Sequence, residues 1–193
     1  FKDRFEMTPK DWKNGGYKEY SKKILQQSQR ASQSKADFKD MVPTIVKMPA
    51  IESYYIRNKG YNVNIKETWQ KLQTWILTND ITSYKRIALF HDNPTITPLN
   101  DCQYIGCVVV DDKKEVKSDR LPKFKIAEGV YAKFDLKGKT GDVLPFIHWV
   151  YHEWLPKNEY ETTTKPSYAV YNKIDFLDES NEFDLSFYVS INF

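Results

Sequence analysis

The residues best suited to metal binding are three histidines and two cysteines. His148 and His152 stand at positions i and i+4, the spacing of a metal-binding pair on one helix face. No third ligand is apparent nearby, so the pattern favours two histidines on a solvent-facing helix surface. Cys102 and Cys107 lack zinc-site spacing and are expected to be inert buried thiols. The sequence therefore predicts no metal site and no cofactor.

His91 and Asp92 form an adjacent pair that could suit acid–base chemistry. Asn93 and Pro94 follow directly, and Asp, Asn and Pro are typical turn residues. No nucleophile stands in a recognisable setting beside them. We therefore interpret this stretch as a loop turn, without a catalytic role.

Aromatic residues make up 15% of the chain, and four of its five tryptophans lie in two similar stretches. Residues 54–75 and 131–154 each read as an aromatic strand, a Lys-Gly turn and a helix with two tryptophans. Two such units packed side by side leave a groove, and an aromatic groove can hold a small molecule. A β-rich core is the alternative explanation, and it accounts for the larger share of the rings.

These stretches belong to two units of the order strand, helix, strand, strand. Apolar residues recur at helical spacing from Ile65 to Ile76 and from Leu144 to Trp154. Layer packing then predicts an α+β fold of duplicated β-α-β-β units. These form a mostly antiparallel sheet, with two helices on one face and a ligand cleft between the repeats. The predicted strands cover residues 51–57, 86–90, 103–110, 124–126, 130–136, 168–174 and 185–191.

Charge is distributed unevenly along the chain. Residues 1–48 hold eleven Lys or Arg against six Asp or Glu, whereas the remaining residues hold eighteen against twenty. A solvated linker is the common reason for a basic front, and contact with nucleic acid is the alternative. No apolar run approaches 18 residues and no signal peptide is present, so we expect a cytoplasmic protein without a membrane partner.

The chain divides into three predicted parts. Residues 1–13 look like a helix, a turn and a second helix, with Thr8 as N-cap. Residues 14–38 are polar and predict a linker, either a solvated helix or a flexible tether. The folded domain is predicted over residues 39–193.

Several strings in the folded part agree in order and spacing with one family. They are Met48-Pro49, Arg57-Asn58-Lys59-Gly60-Tyr61, His91-Asp92-Asn93-Pro94, Cys102-Gln103-Tyr104-Ile105-Gly106-Cys107-Val108, Gly129-Val130-Tyr131-Ala132 and Glu153-Trp154-Leu155-Pro156. In this order they resemble the GyrI-like small-molecule-binding domain, the effector domain of many AraC-family transcription regulators, over roughly residues 41–193. Residues 1–13 resemble the C-terminal end of an AraC-type DNA-binding domain, with Phe1, Phe5, Thr8-Pro9 and Trp12 at matching places.

The resemblance implies a cleft that holds a hydrophobic or aromatic small molecule where the two repeats join. Family members often bind lipophilic cations and place a glutamate on the strand after the second helix, in a pattern like Phe-Glu-x-Tyr. The matching string is 168–171, and Ala169 stands at the glutamate position. Two alternatives are then open: a neutral ligand, or an acid from elsewhere, for which Glu153 is the nearest candidate. A surface charge is the better interpretation of Glu153.

Strand alternation separates the candidate ligand-binding residues by face. Tyr171 shares a face with Ala169, and Tyr168 faces the other way. If the family geometry holds, Tyr171 faces the cleft and Tyr168 lies in the core. Core packing is also the favoured role of Trp69 and Trp149, with contact to the cleft as the alternative for Trp149. The predicted ligand-binding set is Tyr55, Phe90, Tyr104, Trp149, Glu153, Ala169 and Tyr171.

The leading functional hypothesis is the ligand-sensing domain of a bacterial AraC-type transcription regulator. DNA would be bound only through an upstream helix-turn-helix domain that is absent from this chain. A GyrI-like hydrolase is the first alternative, which Ala169 disfavours because the acid–base group is missing; the protein is expected not to be an enzyme. A stand-alone protein that sequesters a ligand or toxin is the second, which the segment 1–13 disfavours.

Overall fold

A curled antiparallel sheet forms the centre of the molecule. The computed structural model describes residues 1–61, 64–111, 116, 120–177 and 179–192. The strands are β1 (Thr44–Met48), β2 (Ile51–Lys59), β3 (Tyr84–Phe90), β4 (Gln103–Val110), β5 (Lys123–Ile126), β6 (Gly129–Lys139), β7 (Glu161–Thr162), β8 (Ser167–Lys173) and β9 (Glu182–Asn192). Eight of them form the sheet in the order β1-β6-β9-β8-β3-β4-β2-β5, and β7 pairs with β9.

The helices lie in two groups, one at the N-terminus and one against the sheet. They are α1 (Lys2–Phe5), α2 (Pro9–Asp11), α3 (Tyr17–Leu25), α4 (Gln29–Ser32), α5 (Ile65–Thr78), α6 (Val143–Trp149) and α7 (Leu155–Lys157). A π-helical turn, Val150–Trp154, joins α6 to α7, and a 3-10 turn, Asp175–Leu177, follows β8. The predicted α+β class is confirmed.

Two units of the sheet meet at its centre, where β3 pairs with β8. The chain runs through β2, α5, β3 and β4 in one unit, and through β6, α6, β8 and β9 in the other. At the junction Ala88 lies opposite Ala169, and Leu89 lies opposite Tyr168. The predicted order of elements is therefore present in both units. That the units are copies of one another stays a prediction.

Helices α5 and α6 pack on the same face of the sheet. Trp69 and Leu72 of α5 and Phe146 of α6 are buried in one apolar core with residues of the central strands. Gly106 of β4 lies beneath α5, where a Cβ would approach Leu72 Cδ1 to 2.9 Å. A glycine in mid-strand thus allows the helix to approach the sheet closely.

The opposite face of the sheet has a separate core built on tyrosines. The rings of Tyr168 and Tyr188 stack at 4.6 Å, and Tyr131 packs edge-on against Tyr168 at 5.3 Å. Ala169 and Tyr171 belong to the helix-side core instead. The predicted separation of Tyr168 from Tyr171 is confirmed, as is the core position of Trp69.

The segment 14–38, predicted as a solvated helix or a flexible tether, contains the helices α3 and α4, and a few of its side chains are buried against the domain. Ile24, Ala31 and Phe38 are each less than a tenth exposed. These three apolar residues recur every seven positions and anchor α3, α4 and the following turn. The boundary predicted between linker and domain stays a prediction.

The prediction that His148 and His152 face solvent is wrong, because α3 covers them. Ser21 Oγ lies 2.7 Å from His148 Nδ1 and 2.8 Å from His152 Nε2. Burial, together with the neighbouring His152, lowers the pKa of His148 to about 4. The two rings therefore hold α3 through a buried serine instead of forming a metal pair.

Candidate ligand-binding cleft

A cavity of about 970 Å³ opens on the helix side of the sheet. The start of α5 and residues 140–144, which lead into α6, form its two walls. Phe90, Tyr104 and Tyr171 provide side chains from β3, β4 and β8 as its floor. The volume suits a small organic molecule.

The floor is held by edge-to-face contacts between aromatic rings. The Phe90 and Tyr104 rings lie 5.8 Å apart and nearly perpendicular, and Tyr61 meets Phe90 at 5.5 Å and 90°. The Tyr61 hydroxyl donates to the Asp92 carbonyl at 2.7 Å, which ties the ring to the loop after β3. Edge-to-face packing and this hydrogen bond give the cleft a preformed aromatic surface.

Trp69 joins this floor to α5. Its indole Nε1 donates to the Tyr104 hydroxyl at 2.9 Å, and its ring lies 5.9 Å from that of Tyr171. Burial raises the pKa of Tyr104 and of Tyr171, and the nearby Asp175 carboxylate raises that of Tyr171 further. Both phenols are therefore neutral near pH 7 and offer polar O–H groups beside apolar ring faces.

Asp175 is an acid of the cleft that sequence patterns missed. It lies in the 3-10 turn after β8 and is 5% exposed. Thr140 Oγ1 donates to its Oδ2 at 2.6 Å. Among the described residues no donor makes a hydrogen bond to Oδ1. Burial raises the pKa of Asp175, and the hydrogen bond from Thr140 opposes this.

A signal for Asp175 was present in the sequence but ambiguous. The residue stands between Ile174 and Phe176, at the end of a predicted apolar strand. An acid between apolar neighbours is unusual in a core. Turn residues are often acidic, however, so this pattern alone did not distinguish a buried carboxylate from an exposed one.

The N-terminal helices form a roof over one side of the cavity. We call residues 27–34 the roof segment; its residues 27–30 line the cavity. Gln27 Oε1 accepts a hydrogen bond from the Leu99 backbone at 2.8 Å, and Ser34 Oγ donates to Asp142 Oδ1 at 2.7 Å. The segment is therefore attached to both units of the sheet.

Three predicted ligand-binding residues, Phe90, Tyr104 and Tyr171, lie together in this cavity. The fully buried Ala169 lies on the same face without lining the cavity. Tyr55 is on the other face of the sheet, where its ring meets Phe124. The structure thus brings only part of the predicted set together.

Trp149 and Glu153 lie elsewhere, beside a smaller cavity of about 350 Å³. Glu153 pairs with Lys18 at 3.6 Å and with Lys157 at 3.2 Å. Its side chain is 40% exposed, so the interpretation as a surface charge is confirmed. Glu153 therefore does not supply the acid that Ala169 lacks.

Two general features of the described chain bear on the site. Across residues 1–61, 64–111, 116, 120–177 and 179–192, no three potential ligands from His, Cys, Asp and Glu cluster around a metal position. Within those same ranges no helix is long and apolar enough to cross a membrane.

Comparison with known proteins places this geometry in a family. The family model described as GyrI-like small molecule binding domain matches residues 41–191. A DNA gyrase inhibitor from Citrobacter koseri is 24% identical over 129 residues, which are 66% of this chain and 82% of that protein.

Solved structures share the fold at low sequence identity. The C-terminal domain of EcmrR matches with a TM-score of 0.58 and 15% identity, over 79% of this chain and 98% of that one. SAV2435 bound to tetraphenylphosphonium matches with a TM-score of 0.52 and 12% sequence identity, over 79% of this chain and 94% of that one. A hydrolase from Listeria innocua matches with a TM-score of 0.54 and 11% sequence identity, over 78% of this chain and 92% of that one.

The EcmrR chain in a DNA complex matches more of this protein than its C-terminal domain alone. It covers 95% of this chain and 68% of that one, with a TM-score of 0.62 and 15% identity. The 5% left unmatched is about ten residues, so the match extends into residues 1–38. The N-terminal helices therefore have a structural counterpart outside that C-terminal domain.

Proposed function

The chain belongs to the family of GyrI-like small-molecule-binding domains over residues 41–191, and we propose that it is the effector-binding part of an AraC-type transcription regulator. The cavity with a floor of Phe90, Tyr104 and Tyr171 is the observation that carries this proposal. Its size and aromatic surface suit a small hydrophobic or aromatic ligand.

The N-terminal helices support a regulatory role, because they link the cleft to the start of the chain. The roof segment lines the cavity, and α3 precedes it directly. A ligand that contacts the roof segment would favour one position of these helices over another. Differential affinity of this kind is what a ligand needs to shift a conformational equilibrium.

Residues 1–13 support the assignment to the AraC type. Thr8 caps α2 in a reciprocal pair with Asp11, as its predicted N-cap role requires. The rings of Phe5 and Trp12 pack at 4.5 Å, and Phe1 packs against Phe5 at 4.7 Å. This small aromatic cluster suits the last turn of a preceding helical domain. DNA would then be contacted by that upstream domain.

We infer further that the cleft binds its ligand without catalysis. The position that matches the family glutamate is Ala169, whose side chain is wholly buried. A related fold with a hydrolase name does not bring a reaction with it, since fold and function separate readily. Hydrolysis of 1-naphthyl acetate that is abolished by Asp175→Asn would overturn this inference.

Equilibrium dialysis with 1-ethylnaphthalene, a neutral aromatic probe, tests the binding site. Tyr171→Leu removes a ring from the cleft floor, so we expect it to weaken binding at least tenfold. Tyr168→Leu is the matched control, because it removes a similarly buried ring from the same strand but from the other face. Its binding should stay within about twofold of the wild type.

Equal loss in both variants would point to general destabilisation and contradict the assigned site. Absence of probe binding to the wild-type chain would count against the proposed function itself. Circular dichroism of each variant establishes that the fold is retained before the affinities are compared.

A further inference from the structure

The smaller cavity, beside Trp149 and Glu153, is separate from the cleft, and we call it the β1 cavity. Its volume is about 350 Å³. One wall comes from residues 39–45, which lead into β1, and the other from residues 149–160, which run from the end of α6 past α7. Among the residues that the structure describes, none lines both cavities. The volume is near the lower end of the range for small-molecule sites.

Three aromatic side chains, Trp149, Trp154 and Tyr160, line the β1 cavity. The Trp154 and Tyr160 rings are stacked, with their centroids 5.5 Å apart and their planes 21° from parallel. The Trp149 ring meets Phe134 of the core edge-on at 5.9 Å. These contacts hold the rings in place, so the cavity has a preformed wall for a planar ligand ring.

Apolar side chains at the entrance of the β1 cavity are exposed to solvent. Val42 is 88% exposed and Ile45 is 46% exposed, and both line the cavity. Val130, on the neighbouring strand β6, is also an exposed large hydrophobic residue. Single exposed apolar residues are common, but a group of them beside a cavity is typical of a binding surface. A ligand ring that covers Ile45 would remove apolar surface from water.

The charged lining residues and their ion-pair partners carry one positive charge in excess. Glu153 lies between two lysines, with its carboxylate 3.2 Å from Lys157 Nζ and 3.6 Å from Lys18 Nζ. A hydrogen bond from Lys157 and the charges of both lysines lower the pKa of Glu153, so it is ionised at pH 7. Lys39 pairs with Asp37 instead. Glu153 therefore balances only one of its two lysines, and a bound monoanion would balance the other.

We propose that the β1 cavity is a second ligand-binding site, which takes a small aromatic carboxylate. The ligand ring lies against the wall of Trp149, Trp154 and Tyr160, and the carboxylate accepts a hydrogen bond from Lys157. A neutral ring would leave the excess positive charge unbalanced, and an aromatic amine would add to it. This site goes beyond the proposed function, because it is independent of the cleft.

Equilibrium dialysis at pH 7 with 1-naphthylacetate tests the proposal on the wild-type chain and two variants. Ile45→Glu removes an apolar contact and places a carboxylate at the entrance, so we expect binding to weaken about tenfold or more. Lys157→Gln removes one exposed ammonium group, and we expect a loss of roughly twofold to fivefold, as for an exposed ion pair. Neither variant should change the binding of 1-ethylnaphthalene to the cleft.

Leu77→Glu is the matched control, because it makes the same change of charge at an exposed apolar residue that lines neither cavity. Its affinity for 1-naphthylacetate should stay within about twofold of the wild type, since distant exposed charges are screened. An equal loss in Leu77→Glu and Ile45→Glu would show general charge repulsion and overturn the site. Tyr171→Leu, which alters the cleft floor, should also leave 1-naphthylacetate binding unchanged.

The outcomes separate the second site from the proposed function. Binding of 1-ethylnaphthalene without binding of 1-naphthylacetate would overturn the second site and leave the cleft a ligand site. Loss of 1-naphthylacetate binding in Tyr171→Leu but not in Ile45→Glu would place this probe in the cleft and also overturn the second site. Displacement of 1-naphthylacetate by saturating 1-ethylnaphthalene would do the same, because separate sites fill independently. Lys157→Gln and the displacement experiment decide the matter even if Ile45→Glu does not fold.

Discussion

At the scale of single residues, Asp175 couples the ionisation of the cleft to stability. Burial raises its pKa above the ordinary value of 3.8, with partial opposition from its hydrogen bonds. Between these two pKa values the folded chain binds more protons than the unfolded chain. The free energy of unfolding contributed by this group therefore falls as pH rises through that window.

The Asp175→Asn variant should not show this loss of stability with rising pH. We expect the free energy of unfolding of the variant to increase relative to that of the wild type as pH rises above about 4, because only the wild type loses stability there. One group can contribute a slope of at most about 1.4 kcal/mol per pH unit. Urea denaturation at several pH values measures it, with the exposed Asp40→Asn as control. Parallel pH profiles for wild type and Asp175→Asn would contradict the prediction.

Residue-level predictions from the sequence succeeded where strand alternation applied. Because side chains alternate between the two faces of a strand, Ala169 and Tyr171 were correctly assigned to one face of the sheet and Tyr168 to the other. Alternation could not decide which of the adjacent Tyr54 and Tyr55 faces the helices, because neither neighbour on the strand marks a face. Asp175 lies just beyond the strand, where alternation no longer gives a direction.

At the scale of elements, the contact between α4 and Gly141 holds the roof segment in place. Gly141 has a φ of +109°, and a Cβ on it would lie 2.8 Å from the Arg30 carbonyl oxygen. Glycine is needed here twice, for the left-handed backbone and for the close approach of α4. Gly15 shares the backbone conformation, with a φ of +107°, but has no atom within 4 Å of that Cβ position.

Gly141→Ala should therefore destabilise more than Gly15→Ala. Both variants place a side chain at positive φ, which costs about 1 kcal/mol or more. Only Gly141→Ala must also displace α4, so trypsin should cleave after Arg30 faster in this variant. Urea denaturation and limited proteolysis measure the two effects. Equal destabilisation and equal cleavage would indicate that the approach of α4 to Gly141 is unimportant.

Most elements of the sheet were predictable because their apolar runs are regular. The bounds predicted for β4, residues 103–110, match those observed. Strand β1 was missed because it is short and lies between Pro43 and Pro49, which read as loop signals. The segment that contains α3 was predicted as a solvated helix or a flexible tether because it is polar and has few apolar residues. The buried contacts of α3 depend on partners distant in sequence, such as His148 and His152.

At the scale of the whole molecule, a buried serine and two histidines join the N-terminal helices to the domain. His148 pairs with Ser21 at 2.7 Å, and burial and His152 lower its pKa to about 4. Its ordinary value is 6.5, so the unfolded chain binds more protons between pH 6.5 and 4. The stabilisation by neutral His148 is therefore present above pH 6.5 and is lost as pH falls through 4.

Acidification should release α3 and the roof segment before the sheet unfolds. We expect backbone amides of residues 17–32 to exchange faster relative to those of β9 as pH falls from 7 to 5, after correction for intrinsic rates. His148→Asn keeps a polar group near Ser21 without an ionisable proton, so it should weaken this pH dependence. His91→Asn, which changes an exposed histidine, should leave this pH dependence unchanged. Uniform protection across this pH range would rule out release of α3.

The roof segment has a thermodynamic consequence for any longer protein that contains this domain. It lines the cavity and is attached to both units of the sheet. Linkage is reciprocal: if a bound ligand changes the equilibrium position of these helices by some factor, holding the helices changes ligand affinity by the same factor. The dissociation constant is therefore a property of the cleft together with whatever restrains residues 1–34. Where such coupling holds, fusing a rigid partner to Phe1 would alter ligand affinity without altering a single residue of the cleft.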